Sequence, residues 1–287
     1  MSTTTKLKTP ETLPADDEAV VEKVRERYAG FAETSSSCCG SSCATSPVEP
    51  RSAAERIGYS DSELDSVPAE ANLGLGCGAP IDGLALHPGE TVLDLGSGPG
   101  LDAFLAARRV GPDGRVIGVD MTPEMIERAR SAAREAGLAQ VEFRQGRLEE
   151  LPVDDASVDA VTSNCVINLV PDKARVFAEA ARVLRPGGRM VVSDIVLDAP
   201  LPEAVGKDLL AYVGCVAGAM PRESYFAAVR GAGLTRIEIL SDTDAVKLLG
   251  DEIPSEVLEM LERTGTTPDE LRGKVRSVTY RALKPAA

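Results

Sequence analysis

The chain has 287 residues, 43% of them hydrophobic, which is enough to bury one large core or two modest ones. Its formal net charge is −14 and only 3% of its residues are aromatic, so we expect no nucleic-acid partner, because such a protein repels phosphates and offers few rings to stack on bases. A membrane-spanning segment needs about 18 apolar residues in a row, and neither such a run nor an apolar signal core is present. We therefore expect a cytoplasmic protein that does not enter a membrane, and we take it to be a monomer.

Residues 1–50 differ in composition from the rest of the chain. They begin with a short amphipathic stretch and continue into a Ser/Gly/Cys run that contains Cys38, Cys39 and Cys43. Low-complexity segments of this kind do not build a packed core, which predicts a mobile N-terminal arm over residues 1–50. Residues 51–287 are predicted to form a single folded domain.

From residue 90 onward, short apolar runs alternate with helical patterns. Such a βαβ series predicts an α/β fold with a doubly wound, mostly parallel, Rossmann-like sheet and right-handed crossovers. A turn is predicted at 185–188, where the sequence reads Arg-Pro-Gly-Gly. The predicted strands are 91–95, 115–120, 141–145, 158–163, 189–195, 234–240 and 275–283, and the predicted helices are 101–109, 123–136, 173–184 and 222–231.

A glycine-rich loop follows the first predicted strand and precedes a helix. Its glycines are Gly96, Gly98 and Gly100, within Asp-Leu-Gly-Ser-Gly-Pro-Gly. The dinucleotide fingerprint places its third glycine three residues after the second, where this chain has Leu101, and this departure disfavours NAD. The strand–loop–helix context still predicts a cofactor with an adenosine end.

Two carboxylates narrow the choice of cofactor. Asp120 stands 22 residues after Gly98, the spacing expected of a ribose-binding acid, and Asp94 ends the strand before the loop. A pyrophosphate would be repelled by Asp94, whereas a ribose with a cationic amino acid end would be attracted. S-adenosylmethionine fits that description. The alternative is that both acids are ordinary strand-end residues and the loop is a tight turn.

Three cysteines stand far apart in the same domain: Cys77, Cys165 and Cys215. Thiolates are soft ligands that select thiophilic centres, so the three could form a cage for such an atom. Cysteine is also among the most buried residue types, so each could simply pack in the core. Cys165 follows the fourth predicted strand, at the edge of the sheet where the glycine loop also lies.

The segments around these cysteines are similar to those of a known family. The chain resembles the class I S-adenosylmethionine-dependent methyltransferases and, more narrowly, the arsenite methyltransferases. The likeness runs from about Tyr28 to Leu240. It is carried by ANLGLGCGAP at 71–80, GRLEELP at 146–152, SNCVINL at 163–169 and YVGCVAGA at 212–219.

The resemblance implies a function and a set of site residues. It implies arsenic detoxification, in which a methyl group passes from S-adenosylmethionine to thiolate-bound trivalent arsenic. The arsenite would be presented as a thiol conjugate, and a small thiol or thioredoxin-type reductant would be a partner. The implied arsenic ligands and catalytic residues are Cys77, Cys165 and Cys215. The implied cofactor contacts are Asp94, Gly96, Gly98, Gly100, Asp120, Met121, Leu148 and Asn164, with Met121 and Leu148 flanking the adenine.

Two other functions stay open on sequence grounds. The chain could methylate carbon, oxygen or nitrogen of a small metabolite and use its cysteines only for structure. It could instead be a non-catalytic thiol protein that sequesters or senses a metalloid, although an intact cofactor loop argues against this. Cys38, Cys39 and Cys43 belong either to a solvated tail or to a segment that delivers arsenic or restores reduced thiols at the site.

Overall fold

The computed structural model describes residues 12–34, 49–250 and 253–286. The strands are β1 (Thr91–Leu95), β2 (Arg115–Asp120), β3 (Val141–Gln145), β4 (Val158–Asn164), β5 (Leu184–Leu197), β6 (Met220–Pro221), β7 (Thr235–Asp244) and β8 (Val275–Leu283). The helices are α1 (Asp17–Thr34), α2 (Pro50–Arg56), α3 (Asp61–Asp65), α4 (Leu101–Val110), α5 (Pro123–Glu135), α6 (Lys173–Val183), α7 (Glu203–Gly206), α8 (Leu209–Val213), α9 (Arg222–Gly231), α10 (Ala245–Leu248), α11 (Ser255–Thr264) and α12 (Pro268–Leu271). Short 3-10 helices cover Ala69–Ala71, Ile81–Leu84 and Ile167–Leu169.

The described strands form one sheet in the order β3-β2-β1-β4-β5-β8-β7, with β6 paired to β5. Strands β1 to β5 run parallel, and β8 runs antiparallel to β5 and β7. The strand order reverses between β1 and β4, and ligands of open α/β sheets bind outside the carboxyl ends of strands at such a switch point. The mostly parallel, doubly wound sheet predicted from the sequence is confirmed.

The core lies on both faces of the sheet, because successive side chains of a strand point in opposite directions. On β1, Val92 packs with the helix residue Phe104, while Leu93 packs with Phe177 on the other face. All four are buried. Parallel strands covered on both faces read as continuous apolar runs, which is why these strands were recognisable in the sequence.

The turn predicted over residues 185–188 is wrong, because these residues lie within β5. The ladder to β4 shifts register here, since Val158 pairs with Leu184 and Ala160 pairs with Arg189. The backbone of the two glycines is nevertheless paired: Gly187 N–H donates to the carbonyl of Lys284 at 3.0 Å, and Lys284 N–H donates to the Gly188 carbonyl at 2.9 Å. The chain after β8 therefore holds these residues in the sheet as an irregular segment.

Helix α1 lies within residues 1–50 and packs against α5. Val20 and Val24 on α1 are buried in an apolar cluster that also contains Cys77 and Cys215. Cys38, Cys39 and Cys43 lie outside the described residues, and the domain boundary at residue 50 stays a prediction. Among the described helices, none is both long and apolar enough to cross a membrane.

Candidate active site

The glycine loop joins β1 to α4 in a conformation that favours glycine. Gly96, Gly98 and Gly100 have φ angles of 66°, 51° and 104°, in the left-handed region that side chains rarely adopt. A Cβ on Gly100 would lie 2.8 Å from the Phe143 ring, so that position also lacks room. At Gly98 no atom lies within 4 Å of where a Cβ would stand, which leaves the loop open at its centre.

Asp120 ties the end of β2 to this loop. Its Oδ2 accepts a hydrogen bond from Gly98 N–H at 2.9 Å, and its Oδ1 accepts one from Thr122 N–H at 2.8 Å. Burial raises the pKa of Asp120, and these backbone N–H donors oppose that rise. The carboxylate therefore lies beside the open part of the loop.

Two buried polar atoms of β1 and the glycine loop have no partner in the described part of the chain. They are Oδ2 of Asp94 and Oγ of Ser97. Burial holds the pKa of Asp94 well above its ordinary value, and the charge of Asp102 adds to this. Buried polar atoms normally have hydrogen-bond partners, so these two fit a pocket that a polar ligand completes. With Asp120 they suit a ligand that carries hydroxyls and a cationic group, such as S-adenosylmethionine.

Met121 and Leu148 follow β2 and β3 on the same edge of the sheet. Met121 is half-buried and Leu148 is buried, and both belong to apolar clusters. They supply apolar surface beside Asp120. Their predicted contact with an adenine ring stays a prediction.

The structure brings the three predicted cysteines together. The Sγ atoms of Cys77 and Cys165 and a carboxylate oxygen of Asp194 lie within 4.8 Å of one another. The Cys215 thiol donates to the Cys165 carbonyl oxygen at 2.8 Å. All three cysteines are free thiols, and Cys77 and Cys215 are buried. We call these three cysteines with Asp194 the thiol cage.

Two of the cysteines have an unusual backbone conformation. Cys165, directly after β4, has a φ of 57°, and Cys215, two residues after α8, has a φ of 64°. A non-glycine residue in this region costs about 1 to 3 kcal/mol and persists where its surroundings hold it, often at a functional site. Backbone hydrogen bonds hold both here, from Cys165 N–H to Ser193 and from Cys215 N–H to Tyr212, each at 2.8 Å.

Cys77 lies in a loop without regular structure, and Asn164 holds it. The Asn164 Oδ1 accepts from Cys77 N–H at 3.0 Å, and its Nδ2 donates to the Gly78 carbonyl at 2.7 Å. The Ser277 hydroxyl on β8 donates to the Cys77 carbonyl. A single amide therefore grips the backbone on both sides of the Cys77 side chain, and this amide belongs to the residue that precedes Cys165.

Asn164 is itself anchored near the cofactor loop. Its Nδ2 lies 2.9 Å from the Tyr59 hydroxyl and 3.3 Å from Asp102 Oδ2, and Tyr59 donates to Asp102 Oδ1 at 2.6 Å. Asp102 is in the first turn of α4, directly after the glycine loop. The loop around Cys77 is thus coupled to the helix that follows the glycine loop. The cofactor contact implied for Asn164 stays a prediction beside these protein partners.

The cage favours one negative charge, on Cys165. The neighbouring thiols, Cys215 first and then Cys77, favour the ionised form of Cys165 and lower the pKa of this thiol well below its ordinary value. The pKa of Cys77 is raised mainly by burial, and that of Cys215 mainly by its hydrogen bond to Cys165. Cys165 is therefore the cage thiol that ionises most readily.

Two residues near the cage were missed at the level of sequence. Asp194 lies within the apolar run of β5, and an acid inside a buried strand was its only sequence signal. Tyr28 on α1 donates to the Val213 carbonyl at 3.4 Å. Burial raises the pKa of Tyr28, and the charges of Cys215, Cys165 and Asp120 contribute. Tyr28 was missed because residues 1–50 were predicted to be a mobile arm.

Comparison with known proteins agrees with this geometry. A family described as a methyltransferase domain matches residues 86–265. The arsenite methyltransferase of Halobacterium salinarum is 48% identical over 262 residues, which cover 85% of this chain and 67% of that protein. The chain belongs to the arsenite methyltransferase family. It is also 40% identical over 174 residues to the arsenite methyltransferase of Aquipseudomonas alcaligenes, of which it spans half.

A solved structure of the same family has the same fold. The crystal structure of an arsenic(III) S-adenosylmethionine methyltransferase from Chlamydomonas reinhardtii superimposes with a TM-score of 0.60 at 36% identity. The match covers 83% of this chain and 75% of that one. Membership in the arsenite methyltransferase family therefore rests on sequence and fold together, and S-adenosylmethionine is the methyl donor.

Proposed function

We propose that this chain methylates trivalent arsenic bound by Cys77, Cys165 and Cys215, using a methyl group from S-adenosylmethionine held at the glycine loop. The observation that carries this proposal is the meeting of three sequence-distant thiols at the carboxyl ends of β4 and β5. The glycine loop follows β1, which pairs directly with β4. Both halves of a methyl-transfer site thus open on one edge of the sheet.

Arsenic capture follows from the charge state of the cage. The Cys165 thiolate attacks arsenic first and displaces one hydroxide or thiolate ligand as the anion, because the thiolate is the nucleophilic form of cysteine. The neutral thiols of Cys77 and Cys215 then exchange with the remaining ligands. Each thiol proton leaves with a displaced hydroxide as water, or with a displaced thiolate as a free thiol when arsenic arrives as a thiol conjugate.

Methyl transfer needs little acid or base help in this arrangement. Arsenic bound by three sulfurs keeps a lone pair on its open face, and S-adenosylmethionine supplies an electrophilic methyl group when bound. Asp94, Ser97 and Asp120 would bind the polar groups of the cofactor, and Met121 and Leu148 its adenine. The task of the protein is then to hold the reacting atoms roughly 3 to 3.5 Å apart in line.

A reductant is a proposed partner. Methyl transfer raises arsenic formally from the trivalent to the pentavalent state, so a further round needs two electrons. Two cage thiols can supply them by forming a disulfide, which a small thiol or a thioredoxin-type protein then reduces by thiol–disulfide exchange. We propose the cytoplasm as the compartment, because reduced thiols persist there.

The test is incubation of the full chain with arsenite, a thiol and S-adenosylmethionine, followed by chromatographic separation of the arsenic species. A variant with Ser at positions 38, 39 and 43 isolates the thiol cage, because the chain has six cysteines in all. Methylated arsenic from that variant supports the cage as the site. Tight binding of S-adenosylmethionine without any methylated arsenic would favour the alternative, a methyltransferase for a small organic metabolite.

A further inference from the structure

Asp194 is a buried carboxylate that has no role in the proposed methyl transfer. It is 1% exposed on β5, and one of its oxygens lies within 4.8 Å of the Sγ atoms of Cys77 and Cys165. Trivalent arsenic is satisfied by three sulfurs and keeps its fourth side for the lone pair. Asp194 is therefore a fourth donor in a cage whose substrate uses three.

Its neighbours orient Asp194 as the ligating carboxylates of metal sites are oriented. Oδ1 accepts hydrogen bonds from Asn168 Nδ2 at 2.8 Å and from Ile195 N–H at 3.0 Å, and Oδ2 accepts one from the Tyr225 hydroxyl at 3.0 Å. Asn168 and Tyr225 are buried as well. Metal ligands typically have such outer partners, which fix the direction of the donor atoms.

The donor set of the cage fits a tetrahedral, thiophilic divalent cation. Zinc takes sulfur at about 2.3 Å and carboxylate oxygen at about 2.0 to 2.2 Å, which places neighbouring ligands roughly 3.5 to 3.8 Å apart. The Cys77, Cys165 and Asp194 atoms, now within 4.8 Å, would approach this spacing by contracting about 1 Å. Cys215, whose thiol lies on the Cys165 carbonyl, can turn to become the fourth ligand.

The cage would keep a net negative charge after it binds a divalent metal ion, and a buried lysine offsets part of that charge. Three thiolates and one carboxylate carry four negative charges, and a divalent cation cancels two. Lys173, at the start of α6, is 8% exposed, and its positive charge acts on both Asp194 and Cys215. Its Nζ donates to the Val170 carbonyl at 3.0 Å, which holds it in place. A buried anionic site is tolerable only with such compensation.

We propose that the thiol cage binds a second class of ligand, a divalent zinc-like or cadmium-like cation held by the three cysteines and Asp194, which excludes arsenic and blocks methylation. This inference rests on the proposed function only in that both ligands use the same three cysteines. Asp194 then separates the two ligand classes, because the cation needs the carboxylate and trivalent arsenic does not.

Cadmium is the probe, and every protein in the series also carries Cys38→Ser, Cys39→Ser and Cys43→Ser. The parent of this series is expected to bind one Cd²⁺ per chain, with sulfur-to-metal charge-transfer absorption in the ultraviolet. The Asp194→Asn variant should bind Cd²⁺ at least 10-fold more weakly, since even the loss of an outer partner costs 10- to 100-fold. Its affinity for arsenite should stay within about twofold. Asp198→Asn, four residues along from Asp194 and paired with Arg222 at the surface, is the matched control and should change neither affinity.

Equal Cd²⁺ affinity in the parent and in Asp194→Asn would overturn the proposal. An Asp194→Asn variant that loses affinity for Cd²⁺ and for arsenite equally would also overturn it, because Asp194 would then only support the shape of the cage. A parent that binds Cd²⁺ but neither binds nor methylates arsenite would instead defeat the proposed function and leave the cation site standing.

X-ray absorption of the cadmium-loaded parent needs no variant: three sulfurs and one oxygen are expected, and two sulfurs would overturn the site. Arsenite methylation that saturating Zn²⁺ leaves unchanged would overturn the exclusion of arsenic.

Discussion

The two halves of the proposed active site are built in different ways. The cofactor half lies on strand ends, because the glycine loop follows β1 and Asp120 ends β2. The arsenic half has one residue of that kind, Cys165 after β4, and two that come from outside the sheet. The Cys77 backbone donates to the Asn164 amide oxygen and accepts from the Ser277 hydroxyl, and the turn after α8 holds Cys215. In the proposed site, sheet topology therefore positions the cofactor contacts, while individual side chains position the arsenic ligands.

The largest effect is expected from the ligands themselves. Cys165→Ser should lower kcat/KM for arsenite at least about 100-fold, because serine is a hard and poorly ionised replacement and even an outer partner is worth 10- to 100-fold. Cys77→Ser and Cys215→Ser should follow closely. Steady-state methylation assays measure this, with the variant carrying Ser at positions 38, 39 and 43 as control. If all three single variants methylate arsenite at the parental rate, the thiol cage is not the site.

The buried acid that anchors Asn164 gives a pH-dependent effect on stability. Burial raises the pKa of Asp102 from 3.8 to about 6. For an acid with a raised folded-state pKa, the stabilising contribution is present below 3.8 and is lost as the pH rises through 6. Relative to Asp102→Asn, the parent should therefore lose about 3 kcal/mol of unfolding free energy over the whole titration, of which about 2 kcal/mol falls between pH 4.5 and 7. Urea unfolding of both proteins at pH 4.5 and 7 tests this, and parallel changes in both would remove Asp102 as the cause.

Asp120 tests the half that the sheet positions. Asp120→Ala should weaken S-adenosylmethionine binding by about 1.5 to 3 kcal/mol, the range for hydrogen bonds to a charged group. Asp120→Asn keeps one acceptor and should lose less. Calorimetric titration measures both, and Asp113→Ala, an exposed acid before β2, serves as control. Unchanged affinity in a folded Asp120→Ala protein would place the cofactor elsewhere.

The same difference explains what the sequence could predict. The positions of β1 to β3 and of the glycine loop follow from local sequence patterns. Apolar runs predict strands, and glycines predict loop positions with a positive φ. That Cys77, Cys165 and Cys215 would meet was implied by family resemblance and by no local pattern. Asp194 was missed because its role depends on strand β5 lying beside β4, which is a matter of tertiary contact.

The last prediction concerns Asn164, where the two halves meet. Asn164→Ala removes the amide that grips the Cys77 loop, and the loop has no regular structure to replace it. Arsenite affinity should fall about tenfold, the low end for an outer partner of a ligand, while S-adenosylmethionine affinity stays within about twofold. X-ray absorption of arsenic-loaded Asn164→Ala should show, on average, fewer than three sulfur ligands per arsenic atom.

The matched control is Asn72→Ala, which removes an amide from the same loop on the side away from the cage, where it donates to the Pro50 carbonyl and accepts from Gly74 N–H. If both variants weaken arsenite binding equally, the loop responds to any loosening and Asn164 has no special part. If Asn164→Ala weakens S-adenosylmethionine binding and leaves the arsenite affinity unchanged, Asn164 belongs to the cofactor half, as the resemblance of the chain to the family implies. The division between a sheet-positioned half and a side-chain-positioned half would then have to be drawn between Asn164 and Cys165, two adjacent residues.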